Sequence, residues 1–144
     1  MKRIARSAIV ESSAEAFYAL VDDIESYPSF LPWCTAAQVR ERGPGRSVAT
    51  LTLAAKGLRQ SLTTENSHLP GRSIDMRLRE GPFRHFTAAW RFTPLQPQAA
   101  KVEFTVAYEF SSRIVAAVLE PAFNRIADRT LEAFVRRAAA RSDG

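Results

Sequence analysis

The stretch YPSFLPWCTAAQV, residues 27–39, joins two segments with different hydrophobic periods. Before it, apolar residues recur as on one face of a helix, and after it they recur at every second position, as on one face of a strand. Pro28 and Pro32 separate the two patterns, because proline cannot donate a backbone hydrogen bond. The stretch therefore predicts a junction between a helix and a sheet. The residues predicted to share one face of the following strand are Trp33, Thr35, Ala37 and Val39.

The segment before the junction predicts a strand followed by helix. Residues 4–10, IARSAIV, are rich in β-branched side chains, which favours a first strand. Ser12 stands three residues before Glu15, which is the spacing of a capping box, so we expect the first helix to begin there. A second, short helix is expected just before the strand. The residues predicted to form the buried face of the first helix are Ala16, Phe17, Leu20, Val21 and Ile24.

The segment after the junction predicts five more strands joined by short turns. The GPG turn at 43–45 is followed by an alternating strand, and the polar run at 59–68 is a weaker strand candidate. Three clearer strands come next, and the short connections favour an antiparallel meander. The positions predicted to point inward are Ala49, Leu51, Leu53 and Ala55, then Ile74, Met76 and Leu78, then Phe86, Ala88, Trp90 and Phe92, then Val102, Phe104, Val106, Tyr108 and Phe110.

Residues 111–141 return to helical spacing and predict one long amphipathic helix of about 29 residues, roughly 43 Å at 1.5 Å per residue. Pro121 is expected to bend this helix or to loosen its first turns. The predicted fold class is α+β, with a curved seven-stranded antiparallel sheet around a long C-terminal helix and two short helices after the first strand. We expect residues 1–144 to form one domain.

Composition limits the classes of function. No apolar run is long enough to span a membrane and the N-terminal residues do not resemble a secretory signal, so we expect a cytoplasmic protein. Cys34 is alone and is expected to be a buried thiol, and His68 and His85 lack metal-ligand spacing, so no metal is expected. The formal net charge of +5 favours RNA or an acidic membrane surface as partners, although a solvated arginine-rich surface explains it equally well.

The inward positions are unusually aromatic, and two interpretations of them stay open. In one, these side chains fill the interior completely, as protein cores usually do. In the other, they line a pocket for an apolar ligand. Residue types alone do not separate the two interpretations.

Two motifs together with the long helix point to a family. Residues 27–39, the motif EGPFRHFTAAWRFTPL at 80–95 and the C-terminal helix resemble the coenzyme Q-binding START-like family, within the SRPBCC or polyketide cyclase/dehydrase-like group. The resemblance covers roughly residues 3–137. It implies a helix-grip fold with a hydrophobic cavity that binds ubiquinone or a similar isoprenoid lipid and supports respiration without catalysis. It also implies an alternative function, because the family includes a bacterial toxin that binds the large ribosomal subunit and blocks association with the small one.

The resemblance implies a ligand site at the mouth and interior of the cavity. Gly81 and Pro82 are expected at the mouth, whereas the alternative is that the aromatic residues of 27–39 only plug the end of the core. Polar contacts to a quinone head group are considered for Tyr108, Ser61, Thr63 and Arg91. The predicted ligand-binding residues are Phe30, Leu31, Trp33, Phe83, Phe86, Trp90, Phe92, Phe104, Tyr108, Phe123, Ala127 and Leu131.

The predicted partners follow from the family resemblance and from the positive charge. A cationic surface made of Arg77, Arg79 and Arg84 is predicted to contact ribosomal RNA phosphates or, transiently, the anionic inner-membrane surface. We expect a monomer that does not bind DNA and holds no cofactor other than the lipid.

An enzyme of the polyketide cyclase type is the third and least favoured possibility. His85, Glu80 and Asp22 are placed at strand edges or turns, and no catalytic motif is present. The sequence therefore predicts no catalytic residue.

Overall fold

The computed structural model describes residues 1–55 and 57–143, without the side chains of Ala55, Ser142 and Asp143. The predicted inward position of Ala55 thus lies outside the described side chains. The elements are β1 (Lys2–Val10), α1 (Ala14–Asp22), a 3₁₀ helix (Ile24–Ser29), β2 (Cys34–Gly43), β3 (Arg46–Ala55), β4 (Leu58–Leu69), β5 (Ser73–Glu80), β6 (Phe83–Gln96), β7 (Ala99–Phe110) and α2 (Arg113–Asp143).

The strands form one seven-stranded antiparallel sheet in the order β1-β7-β6-β5-β4-β3-β2. Consecutive strands from β2 to β7 are neighbours, as a meander requires, and β1 pairs with β7 at the other end of the series. The chain therefore passes through α1 and the 3₁₀ helix from one edge strand to the other. The predicted α+β architecture is confirmed.

The inner face of the sheet packs against α2 and α1. Every second residue of β7, from Val102 to Phe110, is buried, and so are the alternate residues of β6 from Phe86 to Phe92. From α2, Ala127, Leu131 and Phe134 complete this core. The alternation predicted for these two strands is confirmed, because one face of the sheet is apolar and covered by helix.

The first helix begins one residue later than predicted. The side chain of Ser13, not Ser12, accepts a hydrogen bond from the backbone N–H of Ala16 at 3.0 Å. Ser13 has the extended backbone conformation of an N-cap, and its partner position is an alanine, so no capping box forms. Ala16 is accordingly exposed, and the apolar residue buried in the first turn is Ala14.

The start of β2 also differs from the prediction. The strand begins at Cys34, and a register shift between Cys34 and Ala36 inserts an extra residue opposite β3. Such a bulge reverses the alternation locally, so Cys34 is buried and Thr35 is exposed. The inward position predicted for Thr35 is wrong, and the buried thiol predicted for Cys34 is confirmed. Burial raises the pKa of the Cys34 thiol.

The long helix α2 continues through Pro121. Its first two turns are largely solvent-exposed, with Ile114 80% and Val118 53% exposed. The N-terminal half of α2 thus covers the sheet less completely than the C-terminal half, which carries the fully buried Phe134.

Candidate functional site

An apolar cleft lies between the sheet and the N-terminal half of α2. Its walls come from the ends of β3 and β4, from the β5–β6 turn and from α2. It is nearly free of polar atoms, and its volume is about 40 Å³. The residues that define this apolar cleft are Leu53, Ala54, Leu58, Gln60, Ser61, Leu62, Pro82, Phe83, Phe110, Leu119, Ala122, Phe123 and Ile126.

Phe83 forms part of the wall of the apolar cleft and packs against other aromatic rings. Its ring stacks on Phe110 with a centroid distance of 4.8 Å and meets Phe123 edge-on at 5.1 Å. The β5–β6 turn can approach this closely because Gly81 lacks a side chain. A Cβ there would lie 3.2 Å from Leu62 and 3.3 Å from Phe83, so a larger residue would push into the cleft wall.

The middle of the interior is filled by side chains. Trp90 lies 4.7 Å from Phe104 and 5.1 Å from Phe134 between ring centroids, and it stacks parallel to Phe92 at 6.1 Å. Trp90 is only 2% exposed. In this part of the molecule, aromatic packing leaves the interior closed, as in an ordinary core.

The predicted ligand-binding residues thus fall into three places. Phe83 and Phe123 line the apolar cleft, and Phe30 and Trp33 lie at the surface beside the C-terminal half of α2. Their contact with a ligand stays a prediction for all of them. Those within the packed interior are Leu31, Phe86, Trp90, Phe92, Phe104, Tyr108, Ala127 and Leu131.

Of the polar residues considered for a quinone head group, only Tyr108 points inward. Its hydroxyl donates to the side chain of Asn124 on α2, and burial raises the pKa of Tyr108 to about 12. Thr63 hydrogen-bonds Thr50 and Arg91 bonds Asp75 on the opposite face of the sheet. The head-group contacts considered for Thr63 and Arg91 are therefore wrong, because both side chains project away from the interior. Ser61 lies on the rim of the apolar cleft.

A second candidate site is a groove on the outside of α2. It runs between the C-terminal half of the helix and the junction segment, in two contiguous parts of about 620 Å³ and 250 Å³. Pro32, Trp33 and Arg129 border both parts. We call it the cationic groove, because four arginines and one carboxylate line it. Its defining residues are Phe30, Pro32, Trp33, Arg125, Arg129, Glu132, Arg136 and Arg137.

The arginines of this groove were not among the predicted site residues. Arg125, Arg129 and Arg136 recur at helical spacing on the polar side of α2, opposite the apolar stripe. That periodicity was the available signal. Their meeting with Trp33 depends on the fold, because the junction segment and α2 are about ninety residues apart in the chain.

Of the arginines predicted to form an anionic-partner surface, two lie together and the third, Arg84, stands apart. Arg77 and Arg79 lie on the outer face of β5 and both reach Glu65, at 2.6 and 3.5 Å. Hydrogen bonds from Arg77 and Arg46 lower the pKa of Glu65. Arg84 pairs separately with Glu109 at 3.1 Å. Each of the three arginines is therefore already partnered by a carboxylate, and their contact with the ribosome stays a prediction.

A buried polar network resembles a catalytic triad in its order of side chains. Ser47 Oγ lies 2.8 Å from His68 Nε2, and His68 Nδ1 lies 3.6 Å from Asp22 Oδ1 and 3.1 Å from the Tyr18 hydroxyl. Ser47 is fully buried, however, so no substrate carbonyl can reach its hydroxyl oxygen. Burial lowers the pKa of His68 despite the opposing effect of Asp22. This network is suited to holding α1 on the sheet.

Within the part of the chain that the structure describes, no cluster of three or more His, Cys, Asp or Glu side chains has the arrangement of a metal site. No described helix has the length and apolar character needed to span a membrane.

A curved antiparallel meander closed by a C-terminal helix, with a cleft between them, places the protein in the helix-grip class. A sequence profile described as polyketide cyclase / dehydrase and lipid transport matches residues 10–135. The ribosome association toxin RatA of Vibrio cholerae serotype O1 is 40% identical over 138 residues, which cover 96% of each chain. The chain therefore belongs to the polyketide cyclase/dehydrase and lipid-transport family, on the branch that holds the RatA proteins, and the resemblance found in its sequence is confirmed.

The chain is also similar to two proteins with other names. The mitochondrial coenzyme Q-binding protein COQ10 homolog B of Xenopus laevis is 27% identical, over 95% of this chain and 59% of that protein. The crystal structure of the Zhui aromatase/cyclase from Streptomyces sp. R1128 has a TM-score of 0.81 at 20% identity, covering 98% of this chain and 95% of that one. The second similarity concerns the fold alone.

Proposed function

We propose that this protein binds the large ribosomal subunit and blocks its association with the small one, without catalysing a reaction. The observation that carries the proposal is the 40% identity to a ribosome association toxin over 96% of both chains. The net charge of +5 supports it, because a basic protein gains binding free energy by releasing counterions from RNA. The fully buried Ser47 also supports a non-catalytic role.

The test is co-sedimentation of the purified protein with large subunits, small subunits and intact ribosomes. We expect binding to the large subunit, weaker binding to the small one, and fewer intact ribosomes when the protein is added before the subunits are mixed. The affinity should fall steeply with salt concentration. Absence from the large-subunit fraction at low salt would contradict the proposal.

A second candidate function is binding of an apolar ligand, such as ubiquinone or another isoprenoid lipid, in the apolar cleft. The observation that favours it is the nearly nonpolar lining of the cleft. Its volume of about 40 Å³ is far below the roughly 300–1,000 Å³ of small-molecule pockets, so the N-terminal half of α2 would have to move away from the sheet.

Mass spectrometry of the organic extract of the purified protein tests this second function. Leu119 lines the apolar cleft but not the cationic groove, and Ala117 lies on the same helix with an exposed side chain, so the two provide sites for a bulky substitution and its control. If the cleft binds lipid, Leu119→Trp should lose the lipid that the wild type and Ala117→Trp retain. Equal lipid content in all three proteins would contradict binding in the cleft.

A further inference from the structure

The cationic groove combines positive charge with a rigid aromatic side chain. It follows α2 from Ala122 to Ala140, roughly 27 Å at 1.5 Å per residue. Its arginines project from a helix, and its opposite wall is the Pro32–Trp33 segment. The backbone carbonyl of Trp33 accepts a hydrogen bond from the N–H of Ala54 at 2.8 Å, which ties this wall to β3.

The charges in the groove are largely uncompensated. Among the side chains that the structure describes, Arg125, Arg129 and Arg137 form no ion pair with a carboxylate, and Arg136 pairs only with Glu132 of its own helix. Asp128, the next carboxylate along α2, is engaged by Arg6. On the outer face of the sheet, by contrast, Glu41 and Glu65 pair with Arg46, Arg77 and Arg79. The arginines of the groove are therefore more available to an anionic partner than those of the sheet.

Arg137 differs from the other arginines of the groove in its contacts. Its guanidinium lies 5.2 Å from the centroid of the Phe30 ring, a cation–π contact. Its Nε is the one buried side-chain nitrogen or oxygen within the described residues that has no hydrogen-bond partner. Because buried donors are nearly always paired, an acceptor from a bound partner would complete this site.

Trp33 supplies an aromatic surface within reach of the arginines. It is half-buried against the core, and among the described aromatic side chains none forms a stacked or edge-on ring pair with it. The second tryptophan, Trp90, is engaged with three other rings in the core. An indole held between arginines in a narrow groove is suited to stacking on a planar base rather than on an acyl chain.

We propose that the cationic groove is an RNA-binding site, in which Arg125, Arg129, Arg136 and Arg137 contact phosphates and Trp33 stacks on an unpaired base. This inference rests on the proposed function, since it identifies the surface through which the ribosome is bound. An arginine track with an adjacent aromatic platform is the usual arrangement of single-stranded nucleic-acid sites. The apolar patch suited to a membrane, Ile114 and Val118, lies at the other half of α2.

Two matched triple variants test the placement of the site. Arg125→Gln/Arg129→Gln/Arg136→Gln removes three charges from the groove, and Arg77→Gln/Arg79→Gln/Arg84→Gln removes three from the sheet, so each lowers the formal net charge from +5 to +2. Binding to large ribosomal subunits and to poly(U) is measured over a range of KCl concentrations. The groove variant should lower the salt slope by about 2 and weaken poly(U) binding about a hundredfold at 0.1 M salt. The sheet variant should keep a slope close to the wild-type value.

The outcomes separate this inference from the proposed function. If the wild type binds large subunits and the two triple variants weaken binding equally, or the sheet variant weakens it more, the groove assignment is overturned while the function stands. If the wild type does not bind large subunits, the function fails. If the groove variant no longer bound vesicles containing phosphatidylglycerol but still bound poly(U), the groove would be a lipid-binding surface and the RNA assignment would be overturned.

Trp33 fluorescence tests the stacking contact separately. Poly(U) should quench the emission of the wild type, and Trp33→Phe should remove the quenching while retaining most of the affinity. Trp33→Ala should weaken binding by about 5- to 150-fold. Circular dichroism spectra unchanged from the wild type would show that both variants fold. Unchanged emission at saturating poly(U), or full affinity in Trp33→Ala, would overturn the stacking role.

Discussion

The two ends of the interior, both bounded by α2 and the same sheet, are packed to different degrees. At the closed end, beneath the C-terminal half of α2, Phe134 meets Trp90, Tyr27 and Phe30 with ring centroids 5.1–5.2 Å apart. At the open end, Leu119 and Phe123 face a cleft of about 40 Å³ and the first turns of the helix are exposed. The closed end is therefore expected to contribute more to the free energy of unfolding, whereas the open end contains space that side chains do not fill.

The largest effect is expected from truncation at the closed end. Phe134→Ala should lower the free energy of unfolding by about 3–5 kcal/mol, because it removes a fully buried ring. Leu119→Ala at the open end should cost about 1–2 kcal/mol, since its side chain is only half-buried. Urea denaturation of both variants provides the measurement. Equal losses would show that the two ends are packed alike.

The next largest effect is expected from the buried polar network around Ser47 and His68, which links α1 to the sheet. Ser47→Ala should cost about 1–3 kcal/mol, because it leaves His68 Nε2 and Asn66 Nδ2 without their buried partner. The control is Thr50→Ala, which removes a half-buried hydrogen bond to Thr63 on the outer face. Urea midpoints measured side by side would contradict the prediction if the control were the more damaging change.

The same network predicts a pH dependence. Since burial lowers the pKa of His68 in the folded state, the unfolded state binds a proton more readily. The stabilising contribution is complete above the unfolded pKa of about 6.5 and is lost as pH falls below it. Unfolding free energies at pH 8, 7, 6 and 5 should therefore decrease toward pH 5, and His68→Gln should flatten the decrease. An unchanged slope in that variant would remove His68 as the cause.

The smallest expected effect is an increase in the free energy of unfolding from a substitution at the open end. Ala122→Leu should fill part of the apolar cleft and raise the unfolding free energy by about 0.5–1 kcal/mol. Ala117→Leu, exposed on the same helix, should change it little. If thermal denaturation ranked the two variants in the opposite order, the cleft would not be open space that a side chain can fill.

Sequence reasoning succeeded where a single period described a whole element. β6 and β7 alternate without interruption over their inward positions, so their burial followed directly from residue order. It failed at Ser12 and Thr35, where one residue of displacement changes which side chain faces the interior. A bulge or a cap depends on local backbone geometry, which neighbouring residue types specify only weakly.

The candidate sites were less predictable than the fold. The aromatic composition was correct about the core, but whether Trp90 packs or leaves space depends on ring distances. Likewise, Arg77 and Arg84 differ from Arg125 only in having carboxylates within reach, and those carboxylates come from other strands. Neither property can be obtained from local sequence.

By itself, the amino-acid sequence determined the order of helices and strands and the antiparallel meander, because hydrophobic period and turn residues act over short chain distances. The family followed from the resemblance carried by two sequence motifs and the long C-terminal helix. Only the tertiary structure decided that the interior closes at one end, that Ser47 is inaccessible and that Trp33 lies beside the arginines of α2. These features depend on contacts between segments far apart in the chain, whose distances are set by how the whole sheet curves around the helix.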